Sequence, residues 1–85
     1  MEDPPADPAP ALLALTVNAR GHRCPVPTLR LRRALEQVVS GQRVLLLADD
    51  PMARIDVPYF VSDAGHILVE TAEDGRGLRF LVERR

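Results

Sequence analysis

The chain has 85 residues, 46% hydrophobic and 27% charged, with a net charge of -1, which describes one small domain without room for a second. A fold of this size buries only about 60% of its unfolded surface, so a deep enclosed pocket is excluded and any chemistry belongs at the surface. The single cysteine rules out an intramolecular disulfide, its spacing to the two histidines makes no zinc pattern, and no apolar run approaches a membrane span.

Residues 1–11 hold four prolines together with Glu2, Asp3 and Asp7, a composition that favours solvated chain and is expected to form a disordered Pro/acid-rich tail ahead of a domain over residues 12–85. No basic start or apolar stretch of a signal peptide precedes it, so a cytoplasmic location is expected. Leu15-Thr16-Val17-Asn18 alternates apolar and polar side chains and reads as a first strand, with Arg20-Gly21 opening a loop. Helix formers follow from Leu29 to Val39, and Leu31, Ala34, Leu35 and Val38 share one face at i, i+3, i+4 and i+7.

Cys24 lies where that loop meets that helix. Proline suits the first helical position, so Pro25 reads as N1 and Cys24 as the N-cap. A sulfur there faces the free N–H groups of the first turn and the positive end of the helix dipole, which favour thiolate, the reactive form. Pro25 and Pro27 carry no N–H, which leaves Val26 and Thr28 as donors and makes stiffness the main contribution of the prolines. A surface dipole shifts a thiol only slightly, so Arg20, Arg23 and His22 are expected to supply the rest and to hold the pKa below its ordinary value. Gly21-His22-Arg23 and the prolines give Cys24 no apolar period to join, which argues for exposure over burial in the core.

Val44-Leu45-Leu46-Leu47 is short, continuous and apolar, as a buried central strand is, and it closes a parallel strand-helix-strand unit. Asp50 before Pro51 repeats the cap pattern and opens a second, short helix through Met52 and Ile55 that Pro58 ends or kinks. Capping explains Asp49 and Asp50 better than an acid pair or a metal site does. Residues 66–72 and 78–83 read as a hairpin around Asp74-Gly75-Arg76-Gly77, with Ile67, Val69, Thr71, Leu78, Phe80 and Val82 toward the core and Glu70, Arg79 and Glu83 outward. The expected fold is therefore an α/β two-layer sandwich in the order β-α-β-α-β-β, a four-stranded mixed sheet with two helices on one face. His66 reads as an ordinary strand-edge residue.

All eleven basic residues are arginine, and five of them lie between Arg20 and Arg33. Of these, Arg20, Arg23, Arg30 and Arg33 are candidates for docking an acidic partner beside the thiol. The overall negative charge and the scarcity of aromatics argue against direct nucleic-acid binding.

Asn18-Ala19-Arg20-Gly21 followed by Cys24-Pro25-Val26-Pro27, then Ala48-Asp49-Asp50-Pro51 with Asp56-Val57-Pro58, then Arg79-Phe80-Leu81-Val82, resembles the TusA/SirA-like sulfur carrier family over Leu15 to Arg85. The resemblance implies a two-layer sandwich in which Cys24 carries sulfane sulfur as a persulfide, with Gly21, Pro25 and Pro27 as its supporting motif. It further implies a monomeric sulfurtransferase-type relay without cofactor or metal. Such a relay is loaded by a donor protein such as a cysteine desulfurase or rhodanese, and it is emptied by an acceptor protein in tRNA thiolation, cofactor synthesis or sulfur metabolism. Asn18 stands where many members have aspartate, His22 where an apolar residue is common, and Val61 where some have a second cysteine. A non-catalytic RNA- or protein-binding module and a single-cysteine redox sensor are the alternatives, the latter weakened by the lack of a resolving cysteine.

Overall fold

The structure, a computed structural model, describes residues 13–85; the expected tail over residues 1–11 lies outside them. Strand β1 (Leu13–Asn18), helix α1 (Val26–Leu35), strand β2 (Arg43–Ala48), helix α2 (Ala53–Asp63) and strands β3 (Ile67–Asp74) and β4 (Gly77–Glu83) follow the expected order. The sheet runs β1-β2-β4-β3. β1 and β2 are parallel, whereas β4 is antiparallel to both of its neighbours.

The core lies between this sheet and the two helices. Val17, Val44, Leu46, Ala48, Leu78, Phe80 and Val82 point from the sheet into Leu31, Ala34, Leu35 and Val38 of the α1 segment and Ala53, Val57 and Val61 of α2. The i, i+3, i+4, i+7 stripe on α1 is thus the buried face it was expected to be. Val61, at the position where a second cysteine was considered, is a core residue at 1% exposure. The Arg84 guanidinium donates from Nη1 to the carbonyls of Leu35 (3.0 Å) and Val38 (2.5 Å), satisfying orphan acceptors at the end of α1.

Three local expectations are corrected. Pro58 does not end the helix: it sits inside α2, which continues to Asp63. Its missing N–H removes one bond to the carbonyl of Arg54, and burial of Val57 and Val61 on either side offsets that loss. In β3 the expected core residues Ile67, Val69 and Thr71 are exposed, while Leu68 packs against the core. The register of β3 on β4 shifts between Leu68 and Glu70: Leu68 pairs with Val82 and takes the core face in place of Ile67, while Thr71 pairs with Phe80 on the helix side but stays exposed on this edge strand. Lastly, α2 has Met52, not Asp50, at its N-cap.

One contact between strand and loop bears on the site. Gly77 opens β4 with φ +126°, and a Cβ there would lie 2.5 Å from the Ala48 carbonyl oxygen and 3.1 Å from Asp49 Cα. Only glycine lets β4 pass this close beneath the loop that leaves β2.

Candidate functional site at Cys24

The two parallel strands end side by side, so the loops that follow them, β1–α1 and β2–α2, emerge together. The first carries Arg20, Gly21, His22, Arg23 and Cys24; the second carries Asp49 and Asp50. Hydrogen bonds join them. The Gly21 amide donates to both oxygens of Asp49 at 3.0 Å, and the Cys24 amide donates to Asp50 Oδ2 at 2.7 Å. Asp50 Oδ1 also accepts the Met52 amide at 3.1 Å, turning the chain into α2. Gly21 adopts φ +86°, a left-handed conformation that aims its N–H at Asp49.

These contacts change the reading of Asp49 and Asp50. The turn into α2 accounts for one oxygen of Asp50; the other three carboxylate oxygens of the pair hold the loop that bears the thiol. Nothing local in the sequence signals this, because the partners are 26 and 28 residues apart. Among the described residues no cluster of three or more His, Cys, Asp or Glu is arranged to hold a metal.

Cys24 is not the N-cap. Pro25 occupies that position with φ -95° and ψ 12°, Val26 begins α1, and no side chain caps the helix. The Val26 amide, one of the two donors expected to serve the sulfur, instead donates to the Arg23 carbonyl at 2.9 Å. With Pro25 and Pro27 lacking N–H, only the Thr28 amide of the first turn is left to an anion. The helix start is therefore a weak stabiliser of thiolate.

The thiol pKa is accordingly raised, where a lowering was expected. Half-burial of the sulfur is the chief cause; the charges of Asp56 and Asp50 and a hydrogen bond with the Asp56 carboxylate add to it, while the Thr28 hydroxyl acts in the opposite direction. Arg23 acts on Asp50 rather than on the sulfur. The Asp50 carboxyl is held below its usual value first by the Cys24 amide, then by the Met52 amide, with Arg23 adding to the effect. The charge of Arg23 is thus answered by a carboxylate from the second loop.

The other expected site residues are spread around this centre. Pro27 is buried and anchors the first turn of α1 in the core, whereas Pro25, His22 and Arg23 are exposed. Arg30 is committed to the fold through a 2.9 Å bond from Nη1 to the Asn18 carbonyl. Together with Arg33 it borders a shallow groove along β1 lined by Leu15, Thr16 and Val17. Asn18 uses its side chain locally, accepting the Arg20 amide at 3.1 Å.

Exposed apolar side chains were not anticipated here. Val26 and Leu29 stand on the first turns of α1; Met52, Ile55 and Tyr59 stand at and along the start of α2, with Ile55 and Tyr59 on one face. Tyr59 is 73% exposed and Ile55 65%. An i, i+4 pair continuing from Met52 and pointing away from the buried Val57 and Val61 was the available signal.

Residues 15–84 match the sequence profile of the family described as Sulfurtransferase TusA. The chain belongs to that family. The span takes in every strand residue from Leu15 onward, both helices and the two joined loops. Among solved structures, the crystal structure of a SirA-like protein from Desulfitobacterium hafniense is similar, with a TM-score of 0.70 and 24% identity over 82% of this chain and 95% of that one. That likeness shows the fold. Membership of the TusA family supports a general role as a sulfur carrier, and TusA family proteins relay sulfur through partner proteins. Among the described residues no helix is long and apolar enough to cross a membrane.

Proposed function

We propose that the chain is a sulfur carrier in which Cys24 accepts a sulfane sulfur from a donor protein, of the cysteine desulfurase or rhodanese kind, holds it as a persulfide and passes it to an acceptor protein. The observation that carries this reading is the placement of the chain's one sulfur nucleophile. Cys24 is half-exposed on a loop fixed by Asp49 and Asp50, between two helix starts, inside the matched span.

Loading is an exchange of one sulfur. The Cys24 thiolate attacks the outer sulfur of the donor persulfide, a Cys24 S–S bond forms, the donor S–S bond breaks, and the donor leaves as a thiolate that takes up the proton Cys24 released. Discharge repeats the step with Cys24 as the leaving group. Neither requires an external oxidant. A relay of this kind operates where thiols stay reduced, in keeping with a cytoplasmic setting.

A raised thiol pKa tells against a redox sensor, and loading of a carrier draws on the same thiolate. A redox-sensing cysteine needs thiolate character at neutral pH, and none of the groups around Cys24 other than Thr28 pushes the thiol that way. Specificity then rests with docking. Val26, Leu29, Met52, Ile55 and Tyr59 supply apolar contact near the thiol, and Arg20, Arg23, Arg30 and Arg33 supply charge at its margin.

The test is intact mass after incubation with a cysteine desulfurase and cysteine. The wild-type chain gains one sulfur atom that reductant removes, and Cys24→Ser gains none while keeping its fold. A wild-type chain that stays unmodified where another carrier is loaded overturns the reading.

A further inference from the structure

Two buried side-chain polar atoms among the described residues have no hydrogen-bond partner: Arg20 Nε and Thr28 Oγ1. The first belongs to a guanidinium with four other N–H bonds to place. The second is the only polar atom of its side chain. A buried hydroxyl without a partner lowers stability, and threonine is a poorer helix former than alanine. A threonine within a helix ordinarily relieves this by donating to the carbonyl four residues back, which here is that of Cys24. Thr28 makes no such bond.

Its position gives the unmet donor a use. Thr28 lies in the first turn of α1, whose amides are depleted by Pro27 and by the bond from Val26 to Arg23. Thr28 is half-buried, as is Cys24 four residues before it, and its hydroxyl is one of the groups that act on the sulfur. Of the groups acting on the sulfur, Asp50, Asp56 and burial oppose negative charge there, and the Thr28 hydroxyl alone favours it. Arg20, Arg23 and the exposed His22 share the Cys24 loop, while Arg30 is bonded to Asn18; none of the four is among the groups that act on the thiol.

We propose that the Thr28 hydroxyl is the hydrogen-bond donor that receives charge on the Cys24 sulfur, both when Cys24 attacks as a thiolate and when it leaves as one. On discharge, an acceptor thiolate attacks the outer sulfur of the Cys24 persulfide and forms its own S–S bond. The Cys24 S–S bond breaks, and its electron pair stays on Cys24 Sγ, where the Thr28 O–H can turn toward it. A proton from water then restores the thiol. The partner this hydroxyl lacks is, on this proposal, the charged sulfur.

The experiment compares Thr28→Val, which keeps the shape and removes the hydroxyl, with Thr28→Ser, which keeps the hydroxyl. Cys24 alkylation by a small neutral reagent is followed against pH, alongside the thermal midpoint of each protein. Thr28→Val is expected to raise the alkylation midpoint and slow the reaction at pH 7 by roughly three- to tenfold, the size of half to one pKa unit. Its thermal midpoint stays level or rises, because a purely structural hydroxyl would lose stability on removal and an unpartnered one does not. Thr28→Ser stays close to wild type. An unchanged pH profile in Thr28→Val, or equal slowing in Thr28→Ser, overturns the proposal, and Thr28→Ala decides the same question should the valine variant fold poorly.

The discharge half of the proposal rests on the sulfur-carrier reading. It is checked by the rate at which loaded protein yields its sulfur to a small thiol, slower in Thr28→Val than in wild type. If the wild-type chain does not load at all, the carrier reading fails, while the alkylation series still judges the hydroxyl by itself.

Discussion

The β1–α1 and β2–α2 loops occupy equivalent places, each leaving one of two neighbouring parallel strands for the start of a helix, yet they have opposite characters. The first is rich in arginine and carries the chain's one cysteine; the second carries Asp49 and Asp50. The second loop nevertheless shapes the first, since its carboxylates take the Gly21 and Cys24 amides and set a negative field beside the sulfur. A reactive group can thus be governed less by its sequence neighbours than by the loop that folding brings alongside, because charges act through space over several ångströms.

The support beneath the second loop gives the largest expected effect. Gly77→Ala places a methyl group 2.5 Å from the Ala48 carbonyl oxygen and against Asp49, in a backbone conformation that alanine resists. A loss of about 2–3 kcal/mol in chemical denaturation is expected, the range for backbone strain combined with overpacking. If stability is kept, the two loops are not braced by β4 and the comparison loses its structural basis.

Removing a carboxylate should sharpen the contrast without unfolding the chain. Asp56→Asn deletes the charge that helps raise the Cys24 thiol pKa, so thiolate at neutral pH increases. Alkylation at pH 7 is expected to accelerate by roughly three- to tenfold. Slower alkylation would mean that the arginines of the first loop govern the sulfur after all.

The smallest effects lie in the dependence of stability on pH, and the two loops should fail at opposite ends of it. The Asp50 carboxyl has a lowered pKa in the fold, so its contribution is present at neutral pH and is lost as pH falls through the carboxylate range. The Cys24 thiol has a raised pKa, so its contribution is present below the ordinary thiol pKa and is lost as pH rises through the folded value. Denaturation midpoints against pH should therefore show a flatter acid limb in Asp50→Asn and a flatter alkaline limb in Cys24→Ser. Identical limbs in wild type and both variants would show that the two loops are energetically uncoupled from these charges.

Much of the fold was legible because its signals are local. The alternation in β1, the apolar run of β2 and the four-residue stripe of α1 each state a buried face within a few residues. β3 was misread on the same principle. Ile67, Val69 and Thr71 keep a perfect period of two, but the irregularity between Leu68 and Glu70 breaks the phase, and nothing in the residue types marks it. Pro58 was read as a breaker because its local cost is real; the burial that offsets it is a property of the packed core.

At the site, the sequence by itself determined the cysteine and its setting: a stiff Cys24-Pro25-Val26-Pro27 segment, a helix after it, and an aspartate pair following the next strand. These are covalent and conformational facts that need no partner. The tertiary structure alone decided the strand order, the meeting of the two loops and the role of the aspartates as holders of the thiol loop. It also decided the direction of the thiol's pKa and left the Thr28 hydroxyl, one of the groups that act on the sulfur, unpaired. Burial and through-space charge depend on groups more than two dozen residues apart along the chain, and only packing β1 beside β2 brings those groups together.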